Sequence, residues 1–106
     1  MNSDELDEAI NSLVDSNFNK VLEDIFDERI YQIGKKGYSP EHDDKHNQFE
    51  LVDYARTYLT KYTKSQVAAP QSSPPTDEMY LIKAIALLVA EAERIERLNT
   101  KQKEEN

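Results

Sequence analysis

Apolar residues in this chain recur every three to four positions and rarely alternate with polar ones, which is the spacing of helices rather than strands. A first helix is predicted over Ser3 to about Asp15, where Leu6, Ile10, Leu13 and Val14 share one face. Ser16-Asn17 reads as a break. A second helix follows over about Asn17 to Lys36. Phe18, Val21, Leu22, Ile25, Phe26, Arg29, Ile30 and Ile33 form its stripe, and Arg29 is the one polar member. Lys35 and Lys36 suit its C-terminus, and Gly37 suits the left-handed residue that ends many helices. Residues 38–46 then read as a polar connection. Asn47 opens a third helix with Glu50 as its capping-box partner and Leu51, Val52, Ala55, Tyr58, Leu59 and Tyr62 as the buried stripe. Ser65 to Pro75 holds three of the four prolines and reads as a linker, ending at Thr76, which caps a fourth helix. From Leu81 to Ala92 that helix is apolar nearly all round, broken only by Lys83 and Glu91, so it should be the central one. The pattern predicts one all-α domain: a small bundle of three main helices plus an N-terminal helix over residues 1–16. A linker spans 65–76, and a charged tail over 99–106 is expected to fray.

Charge changes this picture by its distribution. The 106 residues carry a net charge of -8. Residues 1–28 alone hold nine acids against Lys20, while residues 29–106 balance at twelve of each sign. An acidic N-terminal quarter on a neutral bundle argues against a protein that coats duplex DNA, which needs a basic face. There is no cysteine, which removes disulfides, thiolate nucleophiles and Cys-ligated metals. The longest apolar run, Ala84 to Ala90, is far short of the roughly 20 residues a membrane span needs. The opening Met1-Asn2-Ser3-Asp4-Glu5 lacks the basic and apolar regions of a signal peptide. These features lead us to expect a chain that works in a reducing cytoplasm, away from membranes. A domain this small buries a limited core, so pairing with a second copy or a partner would help it.

The most distinctive stretch begins with Glu28-Arg29-Ile30-Tyr31-Gln32. It continues through Lys36-Gly37-Tyr38-Ser39-Pro40-Glu41-His42-Asp43-Asp44-Lys45-His46 to Glu50-Leu51. It resembles a family of small proteins of tailed phages and prophages whose pattern reads "ER..Q...EGWTPEHDD.H..GEL". The later run from Leu81 to Ile95 resembles that family's "L.KAGALI.AEIERL". The resemblance covers about residues 27–98. The chain departs from it at Tyr38-Ser39, where the family has Trp-Thr, and at Gln48-Phe49, where the family has a glycine before Glu-Leu. The resemblance implies a phage or prophage source, and with it the cytoplasm of an infected bacterium. The family has no settled activity to carry over.

The same residues allow several chemistries. His42 and His46 lie four apart around Asp43 and Asp44, a spacing that on a helix would put two imidazoles on one face for a metal. In a turn the aspartates would instead cap the backbone. Arg29, if buried on its apolar stripe, needs a carboxylate, because an unpaired buried charge costs several kcal/mol. Asp43, Asp44, Glu50 and Glu91 are the candidates, and such a pair would lock the motif to the bundle. Alternatively, Arg29, Gln32 and Lys83 with Tyr38, Glu41 and the rest of the motif could line a pocket for a small anionic, nucleotide-like ligand. Asp24-x-x-Asp27 and Glu50-x-x-Asp53 loosely match the paired acids that hold magnesium in all-α nucleotide pyrophosphohydrolases. Tyr54, Tyr58 and Tyr62 fall at four-residue spacing and suit core and rim better than a stacking platform.

The expectation that follows is a phage-encoded, non-enzymatic accessory protein that acts by binding and needs no cofactor. Its partner would be a host bacterial protein, such as a nucleic-acid-binding defence protein. Asp4, Glu5, Asp7, Glu8, Asp15, Glu23, Asp24 and Asp27 would imitate the phosphates of nucleic acid against it. Sequestration of a nucleotide-like ligand by the motif pocket is one alternative, and the magnesium-dependent pyrophosphohydrolase is the other.

Overall fold

The structure, a computed structural model, describes residues 1–37, 39–45, 49–68 and 78–105. Every regular element among them is α-helical, in the order α1 (Ser3–Asp15), α2 (Phe18–Gly34), α3 (Pro40–Lys45), α4 (Glu50–Ala68) and α5 (Glu78–Glu105). The all-α bundle read from the periodicity is thus what the chain forms. Tyr38, His46, Asn47 and Thr76, and most of the linker read from Ser65, lie outside the described residues.

Local chemistry explains the boundaries. Asn2 caps α1: its side-chain oxygen accepts the Glu5 N–H at 2.8 Å, and its amide donates to the Glu5 carboxylate at 3.0 Å. At the far end Asn17 takes φ 65°, a left-handed conformation that Asn tolerates better than most residues, and so separates α1 from α2. Gly37 has φ 75°, where any side chain would be strained, and it closes the exit from α2.

Two readings need correction. Residues 40–45 are a short helix and not a polar connection. Pro40 sits in the first turn, Ser39 Oγ accepts the His42 N–H at 3.2 Å, and the Asp43 N–H reaches the Ser39 carbonyl at 2.9 Å. Helix α4 runs on through Ala68, so Ser65 belongs to it; the Ser65 hydroxyl donates back to the Tyr62 carbonyl. Helix α5 continues to Glu105.

Helix α5 is central, with α4, α2 and α3 packed around it. The apolar core is small: Leu51 and Ala55 of α4 against Ala84, Leu87 and Ala90 of α5, with Tyr58 packed on its edge. The alanines let the two backbones approach, and Leu51 and Leu87 fill the space between them. Helix α2 meets α5 on a different face from the one its stripe implied. Its buried residues are Glu28, Arg29 and Gln32. Phe18, Leu22, Phe26, Ile30 and Ile33 are exposed, Phe26 by 65%. The two faces are roughly a quarter-turn apart on the helix. Helix α1 buries none of its residues and packs chiefly on α2. The radius of gyration, 17.3 Å, exceeds the ~13 Å of a compact domain this long. The excess fits a body of α2, α4 and α5 with an arm extending from it.

Candidate functional site

Three polar surfaces result. The first fixes α3 to the C-terminal half of α5. Arg97 holds Asp44 with a forked contact, Nη2 to Oδ1 at 2.7 Å and Nε to the two oxygens at 3.1 and 3.3 Å. Its Nη2 also reaches the Pro40 carbonyl at 3.5 Å. Next to it Asp43 is fully buried. One of its oxygens faces His42 Nδ1 at 3.4 Å, and the other has no hydrogen-bond partner. Burial pushes the Asp43 carboxyl above the ordinary carboxylate range. The bond to His42 and the charges of Arg29, His42 and Arg97 oppose that. Arg29, 7% exposed, donates to Glu93 at 3.1 Å and to the Gln32 amide oxygen at 3.4 Å. The carboxylate that meets Arg29 is therefore Glu93, not one of the four expected. Glu91 instead accepts Arg94 at 2.6 Å and leaves its second oxygen unpartnered. Glu50 accepts the Tyr54 hydroxyl at 3.1 Å.

Asp44 gives this surface a pH signature. The hydrogen bonds from Arg97 hold its carboxyl below the ordinary value of 3.8, aided by the charges of Arg97, Lys101 and Arg94 and opposed by desolvation. A carboxyl lowered in the folded state contributes stability that is complete above its unfolded value and is lost as pH falls below that. Asp44→Asn should therefore cost stability at pH 7 and much less at pH 3. Urea denaturation of both chains at the two pH values checks this, and an equal cost at both would contradict it.

The second surface is a small cleft of about 130 Å³ over α5 between α2 and α4. Helix α2 lines it with Glu28, Gln32 and Lys36, α4 with Tyr54, Thr57, Tyr58 and Lys61, and α5 with Lys83 and Leu87. Lys83 pairs with Glu28 at 3.1 Å and lies 5.3 Å from the Tyr31 ring centre and 5.9 Å from that of Tyr58. Lys61 lies 5.3 Å from the same Tyr58 ring, and Tyr58 stacks on Tyr80 with centroids 6.3 Å apart. The pocket read from the sequence thus divides. Lys83 sits here, whereas Arg29 and α3 belong to the first surface. Thr57 and Lys61 were not among the residues expected to line it.

The third surface, the α1–α2 arm, is α1 together with the face of α2 turned away from α5. Asp4, Glu5, Asp7, Glu8, Asp15, Glu23 and Asp27 are exposed, and half-buried Asp24 pairs with Lys20. On the same two helices Leu6, Ile10, Leu13 and Val14 of α1 and Phe18, Leu22, Phe26, Ile30 and Ile33 of α2 are exposed. The acid pairs of the pyrophosphohydrolase reading do not meet at a metal-like centre. Asp24 and Asp27 border a groove between α2 and the start of α5, while Asp53 on α4 pairs with Arg56 at 3.4 Å. Among the described residues no group of three or more His, Asp or Glu could hold a metal, and His46 lies outside them. No described helix is long and apolar enough to cross a membrane. No protein-family model, curated protein or solved structure matches the chain, so its chemistry is read from these three surfaces.

Proposed function

We propose that the chain is a phage-encoded, non-enzymatic accessory protein that binds a host defence protein through the α1–α2 arm. The motif resemblance supports the phage origin and, with it, the host cytoplasm. One observation carries the binding role: an acidic helix that buries none of its own residues, packed on a helix whose own apolar residues are largely uncovered. Nine apolar side chains along the arm, each 40% exposed or more, leave on the order of 700 Å² uncovered. A standard interface takes about 800 Å² from each partner.

Charge decides the kind of partner. Residues 1–28 carry a net -8, so two arms brought together would repel. A basic groove with an apolar floor satisfies both features. The grooves that bind nucleic acid have the basic half of that chemistry, and the arm's carboxylates take the place of phosphates. Association should be steered by charge and weaken as salt rises.

The test uses immobilised full-length protein and lysate of the bacterial host. A nucleic-acid-binding protein should be retained, and excess duplex DNA should displace it. Removing residues 1–16 should abolish retention. The shortened chain keeps its fold, because α1 contributes nothing to the core. Retention that survives the deletion, or that DNA leaves untouched, overturns the proposal. So does a free protein that sediments as a dimer dependent on α1.

A further inference from the structure

We infer that the side of the α4–α5 pair turned away from α2 is the interface of a homodimer, because an uncharged apolar seam at coiled-coil spacing runs along it, uncovered among the described residues. This face is separate from the arm, and the inference does not rest on the proposal above.

Helix α5 has three faces. Ala84, Leu87 and Ala90 face α4. Lys83 and Glu93 pair with Glu28 and Arg29 of α2. The third face carries Leu81, Ile85, Leu88, Ala92 and Ile95, spaced alternately by four and three residues. At about 100° per residue they span roughly 80° and lie roughly 120° from the α4 face. That strict alternation is the narrow seam of helices that pair with one another, not the wider stripe of a helix buried in a domain. Leu88 and Ile95 are each 43% exposed, and Ala92 is exposed as well. On the same side α4 adds Leu59, 39% exposed, and half-buried Val52. Both lie about half a turn from Tyr54, Thr57, Tyr58 and Lys61, which line the cleft shared with α2. The molecule is 22 Å through its thin dimension, about two helix diameters, which α2 laid over the α4–α5 layer already fills.

A second copy suits this face better than another occupant. The residues along it carry no charge, so two copies meet without the repulsion that keeps two arms apart. Residues 69–77, which join α4 to α5, offer no apolar side chain larger than proline to lay over it. The face is also complementary to itself. With a two-fold axis level with Leu87 and Ala55, Leu88 meets Ile85 of the second copy, Ala92 receives Leu81, and Leu59 meets Val52. Helices α4 and α5 run antiparallel, with Tyr58 stacked on Tyr80 and Leu51 in one cluster with Ala90. Two such pairs close into an up-down-up-down four-helix bundle. The uncovered apolar area is roughly 300 Å² per copy. Apolar atoms make up about 60% of an interface, so two copies bury on the order of 1,000 Å² in total. That is the size of a weak, reversible pair, which separates at the low concentrations of a denaturation curve.

Sedimentation equilibrium of the full chain at pH 7, from about 5 to 500 μM, brackets a dissociation constant on the order of tens of micromolar. The mass should climb from the 12.3 kDa of one chain toward twice that. The climb should persist at about 0.5 M salt, which screens the arm, and in a chain lacking residues 1–16. Leu59→Lys/Leu88→Lys, at two exposed positions with the fold verified by circular dichroism, should weaken association at least tenfold. Phe26→Lys, on the uncovered face of α2, should leave it unchanged. A chain that stays single at the highest concentration overturns the proposal. So does a dimer that survives Leu59→Lys/Leu88→Lys, or one that is lost with Phe26→Lys, with residues 1–16 or with added salt.

Discussion

Replacing Leu87 by alanine is expected to destabilise the protein by about 3 kcal/mol, a large share of the 5–15 kcal/mol that holds a typical domain together. The size follows from how little else fills the core. Its fully buried apolar residues are mostly alanines, and Leu51 and Leu87 are the large ones closed off between α4 and α5. Truncation removes the contacts of the lost methyl groups and leaves a cavity. The alanine-lined helices are already close, so they have little room to collapse into it. The neighbouring residue separates packing from hydrophobicity. Leu88 is 43% exposed, and Leu88→Ala should change stability by no more than about 0.5 kcal/mol. Urea denaturation at pH 7 reads both. A midpoint lowered by about 1–3 M for Leu87→Ala, with Leu88→Ala near wild type, is the expected pair of results. Comparable losses would mean that α5 is covered on both faces.

That contrast marks the limit of what periodicity tells. Residues 81–92 read as apolar nearly all round, which placed α5 at the centre but could not say which side α4 would cover. The α2 stripe gave the opposite error. Its apolar residues implied one buried face, yet α2 meets α5 through Glu28, Arg29 and Gln32. Arg29, the single polar member of the stripe, was the clue to where the contact lies. The ends of α1 were legible because Asn2 and Asn17 act locally. Helix α3 was not, because six residues of Pro, His and Asp composition also suit a turn. Its Ser39 cap was available in the sequence, but its clamp, Arg97, lies 53 residues from Asp44. Arg94 and Arg97 continue the Leu87–Ala90 face at helical spacing, a signal that could have been followed. The lysine cleft had no linear signal, since Lys36, Lys61 and Lys83 meet only once three helices pack.

Arg29 and Asp43 should behave as a coupled pair although no hydrogen bond joins them. Arg29→Met should cost about 3 kcal/mol at pH 7, the scale of a buried charge left without its counter-charge. Glu93, at 45% side-chain exposure, stays solvated when Arg29 is removed. Asp43 does not: it is fully buried, has an unpartnered oxygen, and relies on Arg29, His42 and Arg97 to offset its desolvation. Asp43→Asn removes that charge in a similar shape and should be close to neutral. Arg29→Met/Asp43→Asn should therefore be more stable than Arg29→Met alone by about 1–2 kcal/mol. The pH dependence has a definite sign. Asp43 titrates above its unfolded value of 3.8, so the folded state takes up the proton first, and stability from this group rises as pH falls through the folded value. Removing Arg29 raises that value further. The cost of Arg29→Met should then shrink on acidification toward pH 5, whereas loss of a contact to Glu93 alone would cost the same at pH 5 and pH 7. Urea midpoints for the four chains at both pH values separate the two accounts. A double variant no more stable than Arg29→Met would assign Arg29's contribution to Glu93 and Gln32.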